Sequence, residues 1–376
     1  VQNYMVGGSM LRYALPDTLP DHIDRSSVIY FPYLRFKGNI YTCMGREVSC
    51  KVLDTTHQGL EVGMLPYSLG LRPQAMKIVM VHEGMTGRFV RRSTTPATVL
   101  EKAEKLARSV IDSVEDQLHH RAFIGESVSC LYMPLYNEND RLFGGVLNRE
   151  LGPVEDWAMN SEKLMGFSSR WLPSYLALIC PRCGDAMRGE PDSLVVTCFN
   201  CETCWTEERG RFTRVAYELV EGGPKDTYLP FWRFTLTTTG IEMHSMADLL
   251  RVTNQPVVIR EVHRKRRLQF WIPAFKIRPK IFITMAKGAT LSQLNYPPGE
   301  ERLDQKIKRP TLPMKEALQA VKSVLAKTSL NRKDVLPVLS EMSLSVKDAR
   351  LVYLPCLLYT SPSPRDSLHN LGFRLR

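Results

Sequence analysis

Apolar residues in this chain come in short runs, and the sharpest pattern among them is a recurring strand signature. An aromatic residue, one apolar residue and a proline are followed by further aromatic or apolar residues. The signature stands at Tyr30-Phe31-Pro32-Tyr33-Leu34-Arg35-Phe36, at Tyr228-Leu229-Pro230-Phe231-Trp232-Arg233-Phe234 and at Trp271-Ile272-Pro273-Ala274-Phe275-Lys276-Ile277. Shorter copies are Tyr132-Met133-Pro134-Leu135-Tyr136 and Tyr353-Leu354-Pro355. Proline cannot donate to a sheet ladder, so it marks a strand start, an edge or a bulge. Side chains after it alternate as on a half-buried strand, with Arg35, Arg233 and Lys276 in equivalent places. Each copy reads as the opening of a long strand, continued by Lys37 to Cys43, Thr235 to Gly240 and Ile281 to Met285. The recurrence suggests duplicated β-modules.

Helical periodicity is confined to a few stretches. Pro96 to Arg121 places Leu100, Ala103, Leu106, Val110, Val114 and Leu118 on one face, with His119 and His120 at its C-terminal end. Met243 to Val252 predicts a shorter helix, and Met314 to Lys327 with Lys333 to Met342 a helical pair. The proline-rich, charged residues 297–313 read as the linker before it. The expected fold class is α+β: two β-rich halves with repeated Tyr-x-Pro strands, an inserted ribbon and a C-terminal helical pair. The expected units are an N-terminal arm (1–27), a β-rich domain with one long helix at about 96–121 (28–172), the ribbon (173–210) and a second β-rich domain with helices near 314–342 (211–355). The stretch from Cys356 onward, with Ser361-Pro362-Ser363-Pro364, resembles translated sequencing-adapter read-through, so residues 356–376 are set aside. The chain starts at Val1, which suggests a fragment or a true start at Met5 or Met10.

Composition narrows the class. The 376 residues accommodate two or three cores, and 44% apolar with 24% charged residues is ordinary for a globular chain. One of the longest apolar runs, Trp171 to Cys180, is about ten residues against the roughly 20 a spanning helix needs, and it contains Pro173. With no signal-peptide pattern, a cytoplasmic location is expected. A net charge of +11 points to nucleic acid, an anionic surface or no specific partner.

Five of the nine cysteines fall between residues 180 and 204. In a reducing compartment such clustering indicates metal rather than disulfides. Cys180 and Cys183 form one Cys-x-x-Cys pair, and Cys198 and Cys201 a second, fourteen residues on. Each pair suits a tight knuckle whose amides point at the sulfurs, and Gly184 suits the left-handed turn after the first. Leu176 to Ile179 and Leu194 to Thr197 read as the strands leading into them, with a turn at Glu190 to Ser193. Four thiolates close a tetrahedral shell, so one structural Zn2+ is expected. Cys204 is an alternative ligand, since Cys201 and Cys204 also have the Cys-x-x-Cys spacing. Cys198 is preferred because strand residues lead straight into it.

Catalytic motifs are not found: no phosphate-binding Gly-rich loop with a following Lys-Ser or Lys-Thr, no Gly-x-Ser-x-Gly elbow, no His-Glu-x-x-His helix. The nearest approach to an enzyme is Asp54, His57 and Glu61, close in sequence, with Cys130 elsewhere. A polyanion-binding surface is expected from Arg264, Lys265, Arg266 and Arg267 at the tip of a hairpin formed by Val257 to Val262 and Leu268 to Phe275. Lys276, Arg278 and Lys280 extend it, and Trp271 and Phe275 lie beside it to stack bases.

The ribbon followed by Tyr228-Leu229-Pro230-Phe231-Trp232 resembles a set of uncharacterised bacterial zinc-ribbon proteins. In these, a Cys-Pro-x-Cys-Gly and a Cys-x-Asn-Cys knuckle precede a Tyr-x-Pro-Phe-Trp strand. The similarity includes Leu69 to Met76 and spans most of residues 10 to 355. In that pattern a Trp lies four residues after the last ligand, as Trp205 does here, which implies Cys198 and Cys201 as the second pair. No established activity comes with the resemblance. Helicase-like or transcription-factor-like labels for such ribbons rest on the ribbon alone. The reading is a zinc-binding, non-catalytic binding or scaffold protein that contacts a protein or nucleic-acid partner. The alternatives are a nucleic-acid-binding protein acting through residues 260–287, and an enzyme of unknown reaction.

Overall fold

The computed structural model describes residues 3–6, 10–69, 77–108, 117–155, 158, 162–190, 192–222, 226–293 and 307–356. Its first strands are β1 (Asn3–Met5), β2 (Arg12–Ala14), β3 (Ile29–Met44), β4 (Glu47–Gln58), β5 (Val79–Met80) and β6 (Arg88–Val90). Helix α1 (Pro96–Arg108) follows, then β7 (Leu118–Glu138), β8 (Arg141–Gly144), β9 (Arg149–Pro153) and β10 (Leu164–Met165). The middle of the chain holds β11 (Tyr175–Ala177), β12 (Val195–Cys198), β13 (Thr203–Glu208) and β14 (Arg211–Val215). The last part has β15 (Tyr217–Leu219), β16 (Thr227–Thr239), α2 (Met246–Val252), α3 (Glu261–Lys265), β17 (Phe270–Pro273), α4 (Pro279–Ser292), α5 (Met314–Thr328), α6 (Arg332–Val338) and β18 (Ser343–Cys356). The fold is mixed α+β. Among the described residues, no helix is long and apolar enough to cross a membrane.

Two long antiparallel pairs organise it. β3 and β7 are the centre of a nine-stranded sheet, and β16 and β18 the centre of a four-stranded sheet in the order β15-β18-β16-β17. In the first pair Tyr30 lies opposite Pro134, and Pro32 opposite Tyr132. In the second, Tyr228 lies opposite Pro355, and Pro230 opposite Tyr353. The register is the same in both.

Three of the prolines share a local role, and it is not to open a strand. Pro32 and Pro230 are the fourth residues of their strands, whereas Pro134 and Pro355 lie near the ends of theirs and Pro273 ends β17. At three of them a neighbouring strand stops. Gln58 pairs with Tyr33, Gly144 with Leu135 and Pro273 with Phe231. The next residue in each case, Gly59, Gly145 or Ala274, donates its N–H to the carbonyl of Pro32, Pro134 or Pro230, at 2.7, 2.8 and 2.9 Å. A residue's N and C=O face the same strand edge, so the missing proline N–H lies where no neighbour asks for it.

Several local expectations are corrected. The helix from Pro96 is assigned to Arg108; residues 109–116 lie outside the described set, and Leu118, His119, His120 and Arg121 belong to β7. There the period-two pattern governs: Ala122 and Ile124 are buried and pair with Tyr41 and Asn39. The run Ile281 to Met285 lies inside α4, which starts with Pro279 at its first turn and buries Phe282, Ile283, Met285, Ala286 and Ala289. Residues 294–306 of the expected linker lie outside the described set, and 307–313 are packed rather than loose. Lys308 N bonds Tyr228 O, Thr311 N and Leu312 N bond Ala274 O, and Trp232 Nε1 donates to Leu312 O. Of Leu69 to Met76, residues 70–76 lie outside the described set, as do residues 357–376 of the tail. Cys356 itself ends β18 opposite Thr227.

The largest core joins the far ends of β3 and β7 to the helical layer. Tyr41, Cys43, Ala122 and Ile124 pack with Phe234, Phe270, Phe282, Val321 and Leu336. Val195 and Cys204 of the ribbon belong to the same cluster.

Candidate metal centre

The ribbon is built from short-range geometry. β12, β13 and β14 form its three-stranded sheet, and isolated bridges join Ile179 to Ala186 and Arg188 to Thr197. Gly184 closes the first knuckle at φ +76°, a left-handed conformation that glycine adopts without strain. Its N–H donates to Cys180 O at 2.9 Å. In the second knuckle the left-handed residue is Glu202, at φ +53°.

These turns bring Cys180, Cys183, Cys198 and Cys201 together, with all four sulfurs within 4.8 Å of one another. Cys180 Sγ lies 3.6 Å from Cys201 Sγ, and Cys183 Sγ lies 3.4 Å from Cys198 Sγ. A disulfide needs about 2.05 Å, so these are separate thiols. A tetrahedral ion with metal–sulfur bonds of about 2.3 Å has sulfur–sulfur edges of roughly 3.8 Å. The four cysteines therefore lie at a spacing that holds one metal ion.

The surroundings favour charge on the sulfurs unevenly. Burial pushes the Cys180 thiol up, but the N–H groups of Arg182 and Cys183 and the Thr203 hydroxyl outweigh it and bring it down to about 6. Burial pushes Cys198 up to about 12, although the N–H groups of Cys201 and Asn200 work against it. Cys183 is exposed while Cys180 and Cys198 are buried, so the site opens to solvent on one side.

Cys204 stands apart from the four. It is buried on β13 with its sulfur 3.7 Å from Thr197 Oγ1, and burial pushes it up to about 11. Alternation along β13 turns it into the main core, while Trp205 faces the ribbon's own small core of Leu178, Met187 and Val196.

Two side chains near the centre fall outside the cysteine motif. Thr203 accepts from Trp205 Nε1 at 2.8 Å and sits 3.1 Å from Cys201 Sγ, so it orders the second knuckle. Its place two residues after a ligand is the one available hint. Arg309 is 8% exposed, donates to Thr197 Oγ1 at 2.8 Å, and stacks over Phe199 at 5.3 Å. Arg188 stacks on the same ring at 5.8 Å. Together with the 2.8 Å bond from Leu194 N to Pro310 O, Arg309 seats the ribbon on the body. No local pattern announces a contact between residues 112 positions apart.

The residues considered for catalysis do not converge. Asp54 is held bidentately by Arg35, with bonds of 2.7 and 2.6 Å. His57 Nδ1 contacts the Gln58 carbonyl at 3.0 Å, and Glu61 pairs with Lys102 at 3.3 Å. The Cys130 thiol is fully buried and pushed up to about 11, mainly by that burial. A thiol held protonated is a poor nucleophile.

The basic set is divided. Arg264 and Lys265 lie on α3 rather than on a hairpin tip, and Arg266 and Arg267 follow it. Residues 257–260 form a loop, and β17 pairs with β16 rather than with this run. Lys276, Arg278 and Lys280 lie at the other end of β17, near the start of α4, a helix of 14 residues or about 21 Å. Gln269 N, close to Arg267, bonds Gln293 at the opposite end of that helix. Trp271 is 1% exposed and cannot stack on a base, which corrects that part of the expected stacking surface, while Phe275 is half-buried with its ring edge-on to Phe231 at 6.2 Å.

Compared with known proteins, the chain matches no family model, no curated protein and no solved structure.

Proposed function

We propose that this chain is a zinc-binding, non-catalytic scaffold protein whose four-cysteine ribbon is a structural element and whose body contacts a macromolecular partner. The convergence of Cys180, Cys183, Cys198 and Cys201 at metal-binding spacing carries the reading. Thiolate ligands in a four-fold set select zinc or an iron–sulfur centre, and two knuckles on a β-hairpin suit a single zinc. With four protein ligands no position remains for a substrate or water, so the ion contributes folding energy, not chemistry. The resemblance to bacterial zinc-ribbon proteins and the reduced state such thiols need support a cytoplasmic, bacterial setting.

In the same reading the two long strand pairs descend from one duplicated unit. Their common register supports this, as do Arg35 and Arg233, three residues after their prolines. Each holds a carboxylate bidentately, Asp54 in one case and Glu218 in the other.

The test is native purification with identification of what accompanies the chain, together with metal analysis. The expected result is one zinc per chain and a co-purifying macromolecule. A small molecule as the sole companion, turned over by the chain, overturns the scaffold reading.

A further inference from the structure

Resting on the scaffold reading, we propose that the face made by loop 253–260, α3 and Leu330 docks an acidic segment of a partner protein that also carries aliphatic side chains. The apolar part of this face is unusual. Val258 is 78% exposed, Leu330 58%, Val262 56% and Val257 51%. Val257, Val258 and Val262 lie within six positions of one another, and Leu330 adjoins the start of the same loop, since Leu330 N bonds Thr253 O at 2.9 Å and Gln255 Nε2 bonds Thr328 O at 2.8 Å. Single exposed aliphatics are ordinary on a surface, but a contiguous group marks an interaction site. The loop is not merely turned outward, because Ile259 between these valines packs against the main core.

Charge names the partner. Residues 253–267 contain five cations, Arg260, Arg264, Lys265, Arg266 and Arg267, and one carboxylate, Glu261. Among the described residues, the ion pair made by these cations is Arg264 with Glu261 at 3.5 Å, both well exposed. Such a pair is worth little, so the field of the face stays positive and recruits negative charge. Phosphate backbones satisfy cations but have no use for four aliphatic side chains. Base stacking needs aromatic faces, and Phe270 and Trp271 are buried here. An acidic segment with leucine-like residues fits both halves of the surface, its apolar side chains on the valines and its carboxylates on the rim.

A random dodecamer peptide library displayed on phage, panned against the full zinc-loaded chain, tests this. A selected peptide is then titrated by fluorescence anisotropy beside an oligonucleotide of equal charge and vesicles of phosphatidylserine and phosphatidylcholine. Enrichment of sequences combining Asp or Glu with Leu, Ile or Phe is expected. Val258→Asp and the triple variant R264E/K265E/R267E should each weaken the selected peptide at least tenfold with zinc content and melting temperature unchanged. Enrichment without acidic bias, tighter binding of the oligonucleotide or the vesicles, or indifference to Val258→Asp overturns the proposal. Those results leave the scaffold reading standing, which fails separately if a small molecule turned over by the chain is its sole companion.

Discussion

The ribbon and the body solve the same problem with different means. The ribbon's own core is Leu178, Met187, Val196 and Trp205 with two of the cysteines, flanked by Tyr4 and Phe212. The body's main core runs through two sheets and a helical layer and includes Phe234, Phe270 and Phe282. A hairpin of that size buries too little apolar surface to offset its chain entropy. Structural zinc supplies roughly 10–16 kcal/mol in small zinc peptides, so in the proposed reading the ribbon depends on the ion and the body does not. The difference separates what metal loss should unfold from what it should leave intact.

The largest expected effect follows. Cys201→Ser should abolish metal binding and remove hydrogen-exchange protection from residues 195–215, while β16 and β18 stay protected. Phe234→Ala should do the reverse. Its ring is fully buried in the main core, so about 3–5 kcal/mol of global stability is lost, read by urea unfolding, with zinc content unchanged. Arg309→Met probes the seat between the two regions. Losing its bond to Thr197 should cost about 1–3 kcal/mol, seen as faster exchange in the ribbon with the metal retained.

A smaller effect concerns the contact between β7 and α5. Glu316 accepts from Gly125 N at 2.6 Å, and Glu126 lies close by. Burial raises both carboxyls, and the Glu316 charge raises Glu126 further. The folded state thus holds these protons more tightly than the unfolded chain. The contribution of the pair is greatest in acid and is lost as pH rises above the ordinary glutamate value of about 4.3. Glu126→Gln should raise stability at neutral pH by less than about 1 kcal/mol, because the site is only half-buried and solvent screens it, and not at pH 4, in melts across that range. The smallest effect is on the metal itself: Cys204→Ser should leave zinc content unchanged, since that thiol faces Thr197 and the main core.

The candidate metal site was legible because its chemistry is local. Four ligands within 22 positions fold through turns that Gly184 and the knuckle spacing announce. The strand copies were also visible as a pattern, but the role of their prolines was not. The groups that use Pro32, Pro134 and Pro230 are Gly59, Gly145 and Ala274, and partner identity is a tertiary property. The overrun of α1 into Leu118 to Arg121 has the same origin. A three-to-four spacing holds by coincidence there, and pairing with β3 decides the outcome. Ile281 to Met285 shows the ambiguity of short apolar runs, which suit a buried helix as well as a strand. The Val257 to Val262 run misled for the opposite reason: an apolar stretch usually means a covered strand, and this one stays exposed at Val257, Val258 and Val262.

The most direct test of the structural-metal account is hydrogen exchange with and without a zinc chelator, alongside metal analysis. The account predicts one zinc per chain, and its removal should expose the amides of residues 195–215 while Phe231 to Thr235 and Leu351 to Leu354 keep their protection. A chain that binds no metal, or a ribbon that stays protected after chelation, contradicts it.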